Sequence, residues 1–278
     1  MKKTLVIFLL LITLYSASAQ IPDITGALSR METAINESQE EFTPLEIYYL
    51  GRAAAAHLLS NFPLYTRQPA LTDYLNLICY TLVINSTIQN CYNGFHVMIL
   101  DTPVVNAFAT PGGHIFLTRG ILELVTSEDM LAAVIAHEMA HIQLQHSVAI
   151  IKHSAAVQGL SRERQRLNMS LSSEIIFSAA VGEIVQSLLS GGYSQLQEFE
   201  ADSTAFSFLA SAGYNPASLI ELMRIFDSFQ WDQTGSLNST HPLPSQRIDN
   251  LSRQSRSINR FADNAVRRER FNRIMGRM

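Results

Sequence analysis

Apolar and polar positions divide this chain into helices flanking a short stretch of strand character. Thr43-Pro44-Leu45-Glu46 joins an N-cap residue, proline at the first helical position and an acid at the third, predicting a helix over about 44–61. Pro69 and Thr72 open a second helix reaching about residue 85. Residues 95–100 and 114–118 are rich in β-formers and read as strands. Pro111-Gly112-Gly113 marks a tight turn before the second of them, and Asn106-Ala107-Phe108-Ala109 reads as a connection, giving two or three strands in all. Thr126-Ser127-Glu128-Asp129 caps a long helix. Residues 175–189 are mostly apolar but Glu183 interrupts them, so a buried or lid-like helix is expected, with a membrane-dipping helix as the alternative. Ser194 and Gln197 form a capping box for a further helix that Gly213 ends; Pro216 starts the next, and residues 229–240 read as loop. The pattern predicts a mainly α fold with a small β-sheet (α+β).

The chemistry lies on two of these helices. His137-Glu138-Met139-Ala140-His141 sets two imidazoles four residues apart, on one helix face, with a carboxylate between them. Both rings can reach one metal ion, and Glu138 can hold a water beside it, the arrangement a zinc hydrolase needs. A catalytic zinc takes three protein ligands and keeps one position open. On the helix that Ser194 caps, Glu198 supplies a third ligand, and Asp202 one turn on is suited to accept the outer N–H of His137. Glu200 faces away from Glu198 and is excluded as the ligand. His146 lies five residues past His141, about 140° round a continuing helix, and reads as a packing or surface residue. His57, His96, His114 and His153 have no partners at ligand spacing.

Composition adds a compartment. Lys2 and Lys3, an apolar run over 5–14 and Ala17-Ser18-Ala19 form the pattern of a cleaved signal peptide over 1–19, too short to span a bilayer. The mature chain is expected to begin at Gln20, outside the cytoplasm. It keeps 18 basic against 24 acidic residues, which does not suggest nucleic acid. Eight arginines crowd into 253–278 against Asp263 and Glu269, interleaved with Ile258, Phe261, Phe271 and Ile274. This tail, set off from a domain over 20–252, reads as a helix packing on that domain, or as a basic face for anionic lipid or an acidic partner. Cys79 and Cys91 suit a disulfide in an oxidising compartment, with two buried free thiols as the alternative.

Taken in order, Asn106-Ala-Phe-Ala-x-Pro-Gly-Gly, Thr118-Arg-Gly, His137-Glu-Met-Ala-His141, Glu198-x-x-Ala-Asp202, Thr240-His-Pro242 and Arg247-Ile248 resemble the gluzincin metallopeptidases of the CAAX prenyl protease, HtpX and BepA type. The resemblance covers about residues 40–250 and implies one zinc per chain held by His137, His141 and Glu198, with Glu138 catalytic. It is nearest to soluble periplasmic BepA-like members, although this chain shows no tandem helical repeats and no transmembrane helices. The metzincin pattern is disfavoured, since Leu144 and Ser147 stand where it needs Gly and His.

The expected function is a zinc endopeptidase of the periplasm cleaving unfolded or misassembled envelope proteins, outer-membrane proteins among them. A chaperone-like binding protein with a blocked zinc site is the alternative. His241, in a rigid turn beside Pro242, fits two roles: stabilising the transition state, or acting as an inhibitory fourth ligand. A turn histidine away from the metal is the third option. The strand carrying His114, Ile115 and Phe116 is expected to hold substrate backbone, with Asn106 and Ala107 at its entrance.

Overall fold

The computed structural model describes residues 41–85, 91–154, 173–228, 241, 244–255 and 264–276, with Gly26 and Arg30. The signal-peptide pattern, the loop over 229–240 and the polar stretch around Arg162 lie outside the described residues. Helix α1 (Pro44–Asn61) begins as its cap signals require: Thr43 Oγ1 accepts from the Glu46 amide, and Glu46 accepts from the Thr43 amide at 2.8 Å. Helix α2 (Pro69–Ile84) follows, then strands β1 (His96–Leu100), β2 (Ala107–Thr110) and β3 (His114–Thr118).

The strand order is β1-β3-β2, with β3 parallel to β1 and antiparallel to β2. The Asn106-Ala-Phe-Ala connection is therefore mostly strand. All four β2 residues are buried, because α1 packs on the strand and so does the long helix over Glu128–Gln143. With both faces covered, the alternation that marks a half-exposed strand is erased. The turn before β3 needs its glycines: Gly112 and Gly113 adopt φ of +79° and +106°. Gly51 of α1 lies so close to this turn that a Cβ there would meet the Pro111 carbonyl oxygen at 1.5 Å.

The topology corrects one expectation. His114, Ile115 and Phe116 sit on the central strand, whose two edges are already paired, and Ile115 and Phe116 are wholly buried. They cannot take a peptide through backbone hydrogen bonds.

Helix α3 (Arg119–Leu124) leads to α4 (Glu128–Gln143), capped by Ser127, whose Oγ accepts from the Met130 amide. Every α4 residue from Met130 to His141 is buried, so this helix is the axis of the core, with α2, β2, α7 and α8 packed around it. After Leu144, Gln145 takes a left-handed φ of 54° and the chain turns into α5 (His146–His153). Helix α6 (Ser173–Gln186), continued by a π-helical turn (Ser187–Gly191), packs on α1 and α5 around a second apolar cluster that includes Phe42, Leu50 and Phe116. Helix α7 (Gln195–Ser211) carries the predicted Ser194–Gln197 capping box and packs against α4. Helices α8 (Ala217–Ser228), α9 (Pro244–Ser255) and α10 (Ala265–Met275) complete the described chain. Among the described residues no single helix is long and apolar enough to cross a membrane.

The described part of the Arg-rich tail packs on the domain. Arg270 forks onto Glu128, which also accepts from the Tyr74 hydroxyl at 2.7 Å. Arg267 reaches Asp129 at 3.0 Å and lies over the Tyr214 ring, while Phe271 is buried. The acidic partner of these arginines is the first turn of α4. Cys79 and Cys91 are free thiols rather than a disulfide. Cys79 points into the core, where its S–H donates to Met139 Sδ at 3.9 Å, and burial pushes its thiol up to about 12.

Candidate active site

Helix α4 presents His137 and His141 one turn apart, their Nε2 atoms 3.1 Å from each other. Helix α7 crosses that face with Glu198, whose carboxylate oxygens lie 3.5 Å from both Nε2 atoms. His241 closes the group from the chain before α9: its Nδ1 is 2.8 Å from Glu198 and 3.4 Å from His137 Nε2. All four residues are buried, and one ligand atom from each falls within 4.8 Å of the others. Glu138 stands alongside, its carboxylate 3.8 Å from His241 Nε2.

These separations can be tested against a cation. Four tetrahedral ligands at bonds of about 2.0–2.1 Å stand about 3.3 Å from one another, close to the spacings here. Charge gives a second test. Around the cluster three buried carboxylates, Glu138, Glu198 and Asp202, face one buried guanidinium, Arg247. With all three carboxyls ionised and the imidazoles neutral the charge would be −2, which is costly when buried; protons at His137 and Glu138 relieve it in the metal-free chain, and a dication would take their place. The donor set fits a divalent metal.

The titration of the cluster reflects the same field. Burial pulls His137 down, but Asp202 and Glu198 outweigh it and raise it to about 9. His141 is held well below the usual imidazole value by burial. Burial pushes Glu198 up, but His241 and Arg247 outweigh this and hold it well below the carboxylate range. Burial leaves Glu138 raised.

Comparison with known proteins decides the family. The model of peptidase family M48 matches residues 70–255. The chain belongs to this family. Within it, the chain is similar to the mitochondrial metalloendopeptidase OMA1 of Schizosaccharomyces pombe, 31% identical over 64% of this chain and 51% of that protein. It is also similar to the beta-barrel assembly-enhancing protease of Escherichia coli K12, 26% identical over 72% of this chain and 41% of that protein. The chain spans about half the length of the curated relatives it matches. The fold of this M48 family member is the expected α+β, zincin-like arrangement.

The structure brings together His137, Glu138, His141, Glu198 and His241, and sets Asp202 Oδ1 3.1 Å from His137 Nδ1, off the straight line of a hydrogen bond. Ala107 lines a pocket shared with His137, Glu138 and His241. Asn106 does not line it: its side-chain oxygen accepts from the Ala107 amide, and its carbonyl accepts from Thr118. Three residues escaped a role in sequence reasoning. Arg247 is fully buried, gripping Asp202 with Nε and Nη2 at 2.8 and 2.7 Å and standing 2.8 Å from Glu198. Its motif position beside Ile248 was the available signal. Tyr193 stacks on the His141 ring at 4.0 Å. His146, expected at the surface or in packing, is buried against His141 at 2.8 Å, because the turn at Gln145 ends the helix on which the 140° rotation was reckoned.

Proposed function

We propose that this chain is a zinc endopeptidase whose metal is held by His137, His141 and Glu198, and that it acts outside the cytoplasm on unfolded or misassembled envelope proteins. The cluster of four metal-ligating side chains, with Glu138 at its edge, carries the reading. Zinc held there would polarise a scissile carbonyl and acidify water. Glu138 is then the base: it takes the proton of the attacking water and passes it to the leaving amine. Its burial favours the neutral acid, which suits a group that must both accept a proton and release it. Arg247 binds Glu198 and Asp202 together and fixes the ligand carboxylate against the imidazole pair.

Substrate backbone would pair with β2 rather than β3, since β2 is an edge of the sheet and Ala107 opens onto the cluster. The small pocket beside Glu138 is walled by Ile121, Val134, Leu222, Met223 and Phe226, an apolar lining. The compartment rests on the signal-peptide pattern, and the substrate class on the name of the E. coli relative.

A second reading has its own observation. His241 stands where a fourth ligand would, which favours a resting state in which the site is closed until the turn carrying it moves. A protein that stays in that state would bind its partners without cutting them. Glu138→Gln separates the two readings. A protease loses casein cleavage by at least about 100-fold while keeping its zinc. A purified wild-type chain that holds zinc and cleaves no unfolded protein under any condition would leave only the binding role.

A further inference from the structure

The two imidazoles on α4 are oriented by different means, and only one of them was expected. His137 has the Asp202 carboxylate beside its Nδ1. Near His141 Nδ1 stands a second imidazole: His146 Nδ1 at 2.8 Å. His146 is 4% exposed although it opens a new helix, because Gln145 at φ 54° folds the chain back beneath the end of α4. Its other nitrogen, Nε2, is buried and makes no full hydrogen bond, and it points toward Glu200 Oε2 at 3.4 Å. Glu200 sits two residues past Glu198 on α7 with its side chain half exposed.

We propose that His146 is a positioning residue for the metal ligand His141, and that Glu200 anchors it from the surface. The inference rests on the reading that His141 Nε2 faces the cation. That atom points at Glu198 and His137, so its lone pair goes to the metal and the ring's proton must sit on Nδ1. His146 Nδ1 then has to accept, which places the His146 proton on Nε2, aimed at the Glu200 carboxylate. Each atom in the chain Glu200–His146–His141 thus has one assignment, and it fixes the tautomer that a ligand imidazole needs. Tyr193 holds the face of the same ring, tilted from it by 16°, while its own hydroxyl is tied to Ser147 at 2.8 Å. His141 is therefore fixed on edge and face alike. Helix α7 supplies Glu198 to the ion, Asp202 to the far side of His137 and, by way of His146, Glu200 behind His141.

The test measures zinc affinity by competition with a chelator of known strength, together with the melting temperature of the metal-free protein. His146→Leu keeps the volume but cannot accept a hydrogen bond, and should weaken zinc binding by about 10- to 100-fold. The metal-free melting temperature should stay near that of the unaltered chain. His146→Asn carries an amide oxygen at about the reach of Nδ1 and should recover most of the loss. Unchanged affinity in His146→Leu, or no recovery in His146→Asn, would overturn the proposal. Should His146→Leu fail to fold, Glu200→Ala decides from its exposed position: weaker zinc binding supports the chain of contacts, and affinity equal to the unaltered protein overturns it. An unaltered protein that binds no zinc would instead sink the zinc reading itself.

Discussion

Arg247 shows how much one side chain carries here. Burial pushes Asp202 up, yet the charge and hydrogen bonds of Arg247, together with His137, hold it at about 2. A depressed carboxyl stabilises the fold fully above its unfolded value of about 3.9, and that contribution fades as pH falls toward 2. Arg247→Met removes the buried guanidinium that faces both Glu198 and Asp202 and leaves the two carboxylates with imidazole partners alone among the described residues. It should cost about 3–5 kcal/mol in urea unfolding at neutral pH, and acid unfolding followed by circular dichroism should begin at higher pH than in the unaltered chain. The pairing of His137 with His141 was legible because residues four apart on a helix have a fixed geometry. Arg247 and His146 were not, since neither has a partner at helical spacing and their contacts come from chain folded back over long or irregular turns.

At the scale of elements, caps were read well and edges poorly. Thr43, Ser127 and Ser194 begin their helices as their side chains dictate. Strand β2 was missed as a strand because two helices bury both of its faces, and the end of α4 was missed because the left-handed residue there is Gln145 rather than glycine. Helix α10 was expected to pack on the domain or to offer a basic face, and its contacts tie it to the start of α4. Phe271 is its one buried residue. Phe271→Ala should lower stability by about 3 kcal/mol, read as a lower urea midpoint. A variant with an unshifted midpoint would show that this helix is not part of the cooperative unit.

For the whole molecule, the sequence predicted the α+β class and the ligand types, and left unstated how α7 is laid across α4. That packing turns two distant motifs into one site, and it gathers buried carboxyl groups whose charge a dication would balance in place of protons. Zinc should therefore stabilise the native chain by about 4 kcal/mol at a thousandfold excess over its Kd, and a chelator should lower the melting temperature reversibly.

The most direct test is anomalous diffraction at the zinc edge from crystals of the metal-loaded protein. The account predicts one peak per chain, about 2.0–2.2 Å from Nε2 of His137, Nε2 of His141 and a carboxylate oxygen of Glu198. A peak bonded to other side chains, or Glu198 turned away from the imidazole pair with the metal in place, would contradict it.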